Sequence, residues 1–311
     1  MATRDRAGSP ILLETEGYSL LLDPAHGGVI RRFDRRGADG AAIPLMRPAP
    51  ADATGPLEMA CFPLVPFSNR IADARFTSGG REVRLARNFP PEPHAIHGDG
   101  WTTAWEVSAR AEHAATLTYE HVPAADGRPE WPWRYRATQD LALSDRGLAV
   151  RLGLTNRDDA PMPAGLGLHP YFPKLPGARL TARLGAIWIN GPDKLPVERR
   201  PADASVGWDL AEHDLDNCFE GWDGVARLTL HGPEAGHAAP AIPRTDLVID
   251  ADPVFGHMVV FVPPGEDYFC AEPVSHLNDA INRATRGEAG TGFRLLPPGE
   301  TFRGSVRFGT V

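Results

Sequence analysis

The chain has 311 residues, 42% of them hydrophobic and 23% charged, with a formal net charge of -8. That balance excludes a disordered or fibrous protein, and it lacks the basic footprint of a nucleic-acid binder or of a protein drawn to an anionic membrane. Glycine (32) and proline (31) are scattered as punctuation, which suits many short strands and fits long helices poorly.

The first ten residues, MATRDRAGSP, carry no apolar signal core, and no run approaches the ~18 apolar residues of a membrane helix. A cytoplasmic address is the plain expectation. Strands are predicted at 11–16, 18–22, 105–109 and 115–121. A hairpin follows: Tyr135, Ala137, Gln139, Leu141 and Leu143 fall on one face, Ser144-Asp145-Arg146-Gly147 turns, and Leu148, Val150, Leu152 and Leu154 share the returning face. Further strands are predicted at 227–230, 247–250, 258–262 and 268–271. The last run sets Phe302, Val306 and Phe308 against Arg303, Ser305 and Arg307. One short helix is predicted within 278–286, and 232–240 reads as a loop. The pattern gives one all-β domain over 1–311, built from large antiparallel sheets in a sandwich.

Three cysteines, Cys61, Cys218 and Cys270, are odd in number and far apart, so neither a disulfide framework nor a CxxC metal pair can be drawn. Four segments hold polar groups in unusual settings. Arg70 sits among apolar residues and prolines in FPLVPFSNRI, either ion-paired inside or aimed into a pocket. His94 and His97 lie in a glycine-rich loop, HAIHGDGW, with no HExxH or cysteine partner to make a metal site. His169 stands between leucine and Pro-Tyr-Phe, as a core histidine or a tuned one. Glu272 ends an apolar strand, where a carboxylate must be paired or functional. Asp214 and Asp216 precede Asn217-Cys218-Phe219 and, taken alone, read as ordinary turn residues.

In order, FPLVPFSNRI, AIHGDGW, GLHPYF, DLDNCFEGWDG and CAEP resemble the aldose 1-epimerase (galactose mutarotase) family, over about residues 61 to 273. Each motif is weak alone; five in sequence are a strong signal. Their form is most similar to a bacterial branch of uncharacterised epimerase-like proteins. The resemblance implies a galactose mutarotase-like β-supersandwich with a site on the concave face of a large sheet. It implies Glu272 as general base on the anomeric hydroxyl and His169 as general acid to the ring oxygen. Arg70 and His97 would bind the sugar near that oxygen, and Asp216, or Asp214 if the register slips by two, would hold a distal hydroxyl.

Mutarotation takes a proton from O1 and gives one to O5, opening the ring to the aldehyde, which rotates and recloses. There is no net redox change, so neither a cofactor nor a metal is expected, and the partner is a monosaccharide handled by a monomer or homodimer. Because the reaction runs both ways, side-chain pKa values near neutrality are expected, with burial raising that of Glu272. Trp101, Trp105, Tyr171 and Trp222 are candidates for a sugar platform or for core. Arg75 and Arg81 are either solvated or the pocket of an anionic sugar, such as a hexose 6-phosphate or a sulfonated sugar. A non-catalytic sugar-binding domain is the rival from another class, though it would need no matched acid and base. A glycosidase would need two carboxylates at ~5–9.5 Å, and one convincing candidate is present.

Overall fold

The computed structural model describes residues 9–203, 205–230 and 244–311, so the loop expected at 232–240 lies outside the described residues. Two large antiparallel sheets make up the chain. The eleven-stranded sheet runs from Ile11–Glu14 through Tyr18–Asp23, Val29–Arg36, Cys61–Leu64, Gly167–Pro173, Tyr268–Val274, His257–Val262, Leu215–Glu220 and Ala186–Asn190 to Pro196–Pro201, with Ala42–Pro44 paired to Val29–Arg36. The nine-stranded sheet begins at Glu106–Ala111 and Ala114–His121, and it contains the hairpin Tyr135–Ser144 and Gly147–Asn156 and the C-terminal strand Thr301–Thr310. Among the described residues no helix is long and apolar enough to cross a membrane.

The predicted hairpin forms with Ser144 opposite Gly147. Gly147 has φ +98°, and a Cβ there would meet the Phe308 carbonyl, so this turn position requires glycine. All nine inward residues named for the hairpin are buried, as period-two alternation requires. The differences lie at strand ends. The first strand stops at Glu14, not residue 16, because Thr15 closes a tight turn: its N–H donates to Tyr18 O and its hydroxyl accepts from Tyr18 N–H. The strand expected at 105–109 is Glu106–Ala111, with a register shift between Val107 and Ala109. The helix is Ala280–Thr285.

One correction matters for the site. Glu272 is not at a strand end but inside Tyr268–Val274, since pairing with His257–Val262 continues to Val274 opposite His257. Along that strand Phe269 and Ala271 enter the core between the sheets, while Cys270 and Val274 join a second apolar cluster on the sheet's other face. The same alternation places Leu168 and Phe172 in the first core and Tyr171 in the second cluster. Each large apolar side chain so buried contributes about 1.5–3 kcal/mol. Strands held from both sides make a stiff floor for polar groups on the outer face.

Candidate active site

The register that sets Gly167 opposite Val274 and Tyr171 opposite Cys270 brings His169 directly across from Glu272 at the middle of the large sheet. Their side chains converge, with His169 Nε2 3.4 Å from Glu272 Oε1, and both are buried. The imidazole packs against Phe62 (centroids 4.6 Å) and Tyr171 (4.8 Å), two rings that also touch each other at 6.1 Å. The far side of Tyr171 carries the Arg47 guanidinium, 4.2 Å from the ring centroid and 4.5 Å from that of Tyr268. Rotation of His169 is therefore blocked by two rings. Its Nδ1 and the Glu272 Oε2 have no hydrogen-bond partner. Buried polar atoms left open on a rigid floor are where a ligand's hydroxyls would go.

His97 reaches over the pair from a loop, its ring edge-on to His169 at 5.4 Å. It adopts φ +61°, a left-handed conformation uncommon for non-glycine residues, and is pinned there from both sides. Its N–H donates to Asn69 O (2.9 Å), and the Asn69 N–H donates to its Nδ1 (3.0 Å). Nδ1 is thus an acceptor and the proton belongs on Nε2. The following Gly98 passes so close to Val65 that a Cβ would lie 2.1 Å from its carbonyl oxygen. Arg70 lies beside them, making two 2.8 Å hydrogen bonds to the Glu92 carboxylate, while its Nη1 donates to Asn69 Oδ1 (3.1 Å). Such a fork fixes the guanidinium plane.

Asp216 stands on the same face, two strands beyond Glu272 and one rung along, in the row Tyr171, Cys270, Phe261, Asp216. Its Oδ2 is 3.2 Å from Lys194 Nζ. Lys194 has φ +63°, and the carbonyls of its loop are held by two buried side chains: Asn278 Nδ2 donates to Lys194 O, and His94 Nε2 contacts Asp193 O.

Burial dominates the electrostatics. It pushes the Glu272 carboxyl well above the usual carboxylate range; Asp216 adds to the rise and Arg70 opposes it. Burial also lowers the His169 imidazole to about 3, helped by the Arg47 and Arg70 charges. His97 is lowered well below its ordinary value by burial, with His169 and Arg70 opposing a second positive charge beside them. In the Arg70–Glu92 pair, burial would raise the Glu92 carboxyl, but Arg70 holds it below its ordinary value. Burial therefore works against charge on Glu272 and on both imidazoles. The expectation of values near neutrality holds in direction for Glu272 and fails for His169, because burial and the Arg47 and Arg70 charges all disfavour an imidazolium.

A family model for aldose 1-epimerase matches residues 11–309. The chain belongs to the aldose 1-epimerase family. It is accordingly an isomerase acting on carbohydrates, with a sugar as substrate. YphB of Escherichia coli K12, an uncharacterised protein, is 33% identical over 91% of the chain and 93% of its own length. A structure from the same organism, provisionally named an aldose 1-epimerase, superposes with a TM-score of 0.80 at 29% identity, covering 97% of this chain and 99% of that one. A galactose mutarotase-like protein from Clostridium acetobutylicum shares the fold at a TM-score of 0.76 and 16% identity, over 99% of both chains.

The epimerase thus gathers Arg70, His97, His169 and Glu272 into one cluster, with Asp216 at its far end and Asp214 exposed outside it. Trp105 and Trp222 are core, Trp101 packs behind Phe62 and His97, and of the four aromatics only Tyr171 stacks on a site imidazole. Arg75 and Arg81 are exposed on the hairpin Arg75–Ser78 and Arg81–Arg84, where Arg75 pairs with Asp73 and, with Arg84 and Arg87, lines a separate cavity. Five contributors escaped sequence reading: Asn69, Glu92, Arg47, Lys194 and Cys270. Asn69 was adjacent to Arg70 and legible as its partner; Glu92 and Lys194 act across loops and left no local signal. His169, Cys270 and Glu272 also offer ligand atoms within 4.8 Å of one another.

Proposed function

We propose that the epimerase interconverts the α and β anomers of a free aldose such as galactose or glucose. The observation that carries the reading is the buried cross-strand pair of His169 and Glu272, 3.4 Å apart, with an open nitrogen and an open oxygen. Glu272 removes the proton from O1 and His169 supplies one to O5, breaking the C1–O5 bond; after the aldehyde rotates, the proton transfers reverse. One proton serves the pair throughout. Burial favours that proton on Glu272 and a neutral His169, which is the inventory expected just after ring opening. Sugar binding has to draw the proton across to His169 to begin the cycle, and hydroxyl contacts to the carboxylate supply that bias. Arg70 and the Nε2–H of His97 donate to the ring oxygen side, and Asp216 accepts from a distal hydroxyl.

Placed acid and base groups each contribute ~10²–10⁴-fold, about 3–5 kcal/mol. Two suffice for a reaction that already proceeds in water. Polarimetry on freshly dissolved α-D-galactose and α-D-glucose tests the reading: wild type speeds equilibration, and Glu272→Gln and His169→Asn each lose most of the acceleration. Acceleration kept by both variants would remove the pair from the mechanism. No acceleration of any aldose would leave a sugar-binding protein without turnover.

A further inference from the structure

We propose that His169, Cys270 and Glu272 form a site for a thiophilic divalent cation of the zinc class, and that the bound ion excludes the sugar. The three residues come from two adjacent strands: Cys270 and Glu272 lie two apart on one, hence on the same face, and His169 faces them from the next. Their ligand atoms all lie within 4.8 Å of one another, and all three are buried. A tetrahedral zinc with bonds of about 2.0–2.3 Å wants its ligand atoms roughly 3.3–3.8 Å apart. His169 Nε2 and Glu272 Oε1 are already 3.4 Å apart, and the sulfur must close by about 1 Å or less. One His, one Cys and one carboxylate with a fourth position open is a familiar donor set for that ion.

Three features favour occupancy. The imidazole is neutral, so its lone pair is free for a metal. Oε2 of Glu272 lacks a partner, so the carboxylate surrenders little hydrogen bonding when it turns to the ion. Burial raises both the Cys270 thiol and the Glu272 carboxyl, which means this pocket rejects a single negative charge. A dication that replaces both protons leaves the pocket neutral and removes that conflict. Cys61 and Cys218 are buried too, but neither shares this three-ligand cluster.

Binding stands on this geometry alone, whereas inhibition rests on the proposed mutarotation, so the two are read separately. The full chain, stripped with EDTA, is titrated with Co²⁺ and followed by absorption. One equivalent should give tetrahedral d–d bands and a near-ultraviolet thiolate-to-cobalt band, both displaced by Zn²⁺. Cys270→Ser should lose the thiolate band and bind Zn²⁺ at least about tenfold more weakly, because direct ligands matter no less than their outer-shell partners. His169→Asn should weaken binding similarly, and Cys218→Ser should leave the spectrum unchanged. In polarimetry, Zn²⁺ should stop the wild type, EDTA should restore it, and Cys270→Ser should need at least about tenfold more Zn²⁺. No thiolate band in the wild type overturns the site, as does a band that survives in Cys270→Ser. A Cys270-dependent band in a protein that accelerates no sugar upholds the site and overturns the reaction instead.

Discussion

Among the described residues, two buried histidines pair with carboxylates, and the pairs are built to opposite ends. In the pair under the nine-stranded sheet, His121 Nδ1 lies 2.7 Å from Asp99 Oδ2, and its Nε2 meets the Trp131 carbonyl at 2.8 Å. The Asp99 carboxylate also accepts from the hydroxyls of Tyr119 (2.9 Å) and Tyr135. Burial would lower the His121 imidazole, but the hydrogen bond and charge of Asp99 win and raise it. In the His169–Glu272 pair the separation is 3.4 Å, one atom on each partner is open, and burial wins outright. The same two functional groups thus make a satisfied ion pair in one place and an unsatisfied neutral pair in the other. A satisfied network stabilises; an unsatisfied one on a stiff floor is poised for a ligand.

The largest effect expected from breaking this comparison is on activity. Glu272→Gln or His169→Asn should cost about 10²–10⁴-fold in anomer interconversion. Glu272→Gln should not lower the unfolding free energy, since it removes a carboxyl that burial disfavours. Asp99→Asn should do the reverse. It leaves His121 without its anion and should cost about 2–4 kcal/mol in denaturant melts, discounted because Asp99 is partly exposed. Activity per folded molecule should stay within about tenfold. Equal stability losses in Asp99→Asn and Glu272→Gln would erase the distinction.

The two histidines also sharpen the contrast through pH. His121 is raised in the folded state, so its stabilisation is complete below about pH 6.5 and is lost as pH climbs through its folded value. His169 is lowered to about 3, so its contribution is complete above about pH 6.5 and lost as pH falls towards 3. Melts across pH should therefore show Asp99→Asn costing more at pH 5.5 than at pH 8.5. His169→Asn should flatten the acid side of the stability curve. A penalty for Asp99→Asn that is independent of pH would mean that His121 is not charged in the fold.

A subtler effect concerns the alkaline limb of the pH–rate profile, which the proposed mechanism ties to loss of the shared proton from Glu272. Asp216 pushes the Glu272 carboxyl up and Arg70 pulls it down. Asp216→Asn should move the limb to lower pH and Arg70→Met to higher pH, whatever each does to sugar affinity. Shifts of the same sign in both variants would show that the limb belongs to another group.

Much of this was legible in the sequence where periodicity is local. The hairpin of Tyr135–Ser144 and Gly147–Asn156 alternates without interruption, and its turn is spelled by Ser-Asp-Arg-Gly. The ordered motifs pointed to Arg70, His97, His169 and Glu272, which the sheet then assembled. The position of Glu272 within its strand was missed because Pro273 reads as a terminator. Its neighbour strand His257–Val262 keeps the ladder going to Val274, and that information is 15 or more residues away. Glu92 and Lys194 were invisible for a related reason. Each acts through a loop whose position depends on distant partners, His94 and Asn278 among them. The size of the His169 shift was not legible, because a sequence shows which charges exist and not how deeply a side chain is buried.

The smallest effect expected is at Lys194, and it asks whether the far end of the site follows the first kind of pair or the second. The Lys194–Asp216 contact of 3.2 Å is half exposed, so as a salt bridge it should contribute no more than about 1 kcal/mol. Yet Lys194 is held at φ +63° by a loop whose carbonyls engage two buried side chains, more support than an ordinary surface lysine receives. If the cation orients Asp216 for a sugar hydroxyl, Lys194→Met should raise KM about three- to tenfold, leave kcat alone and barely move the melting curve. Lys194→Gly should show the same KM, while relief of the left-handed conformation stabilises the fold by about 0.5–1 kcal/mol. A fall in kcat would bring Lys194 into the chemistry. No change in either constant would make it a surface pair like any other, and Asp216 would then be oriented by its strand and by Asn190, whose amide donates to its carbonyl.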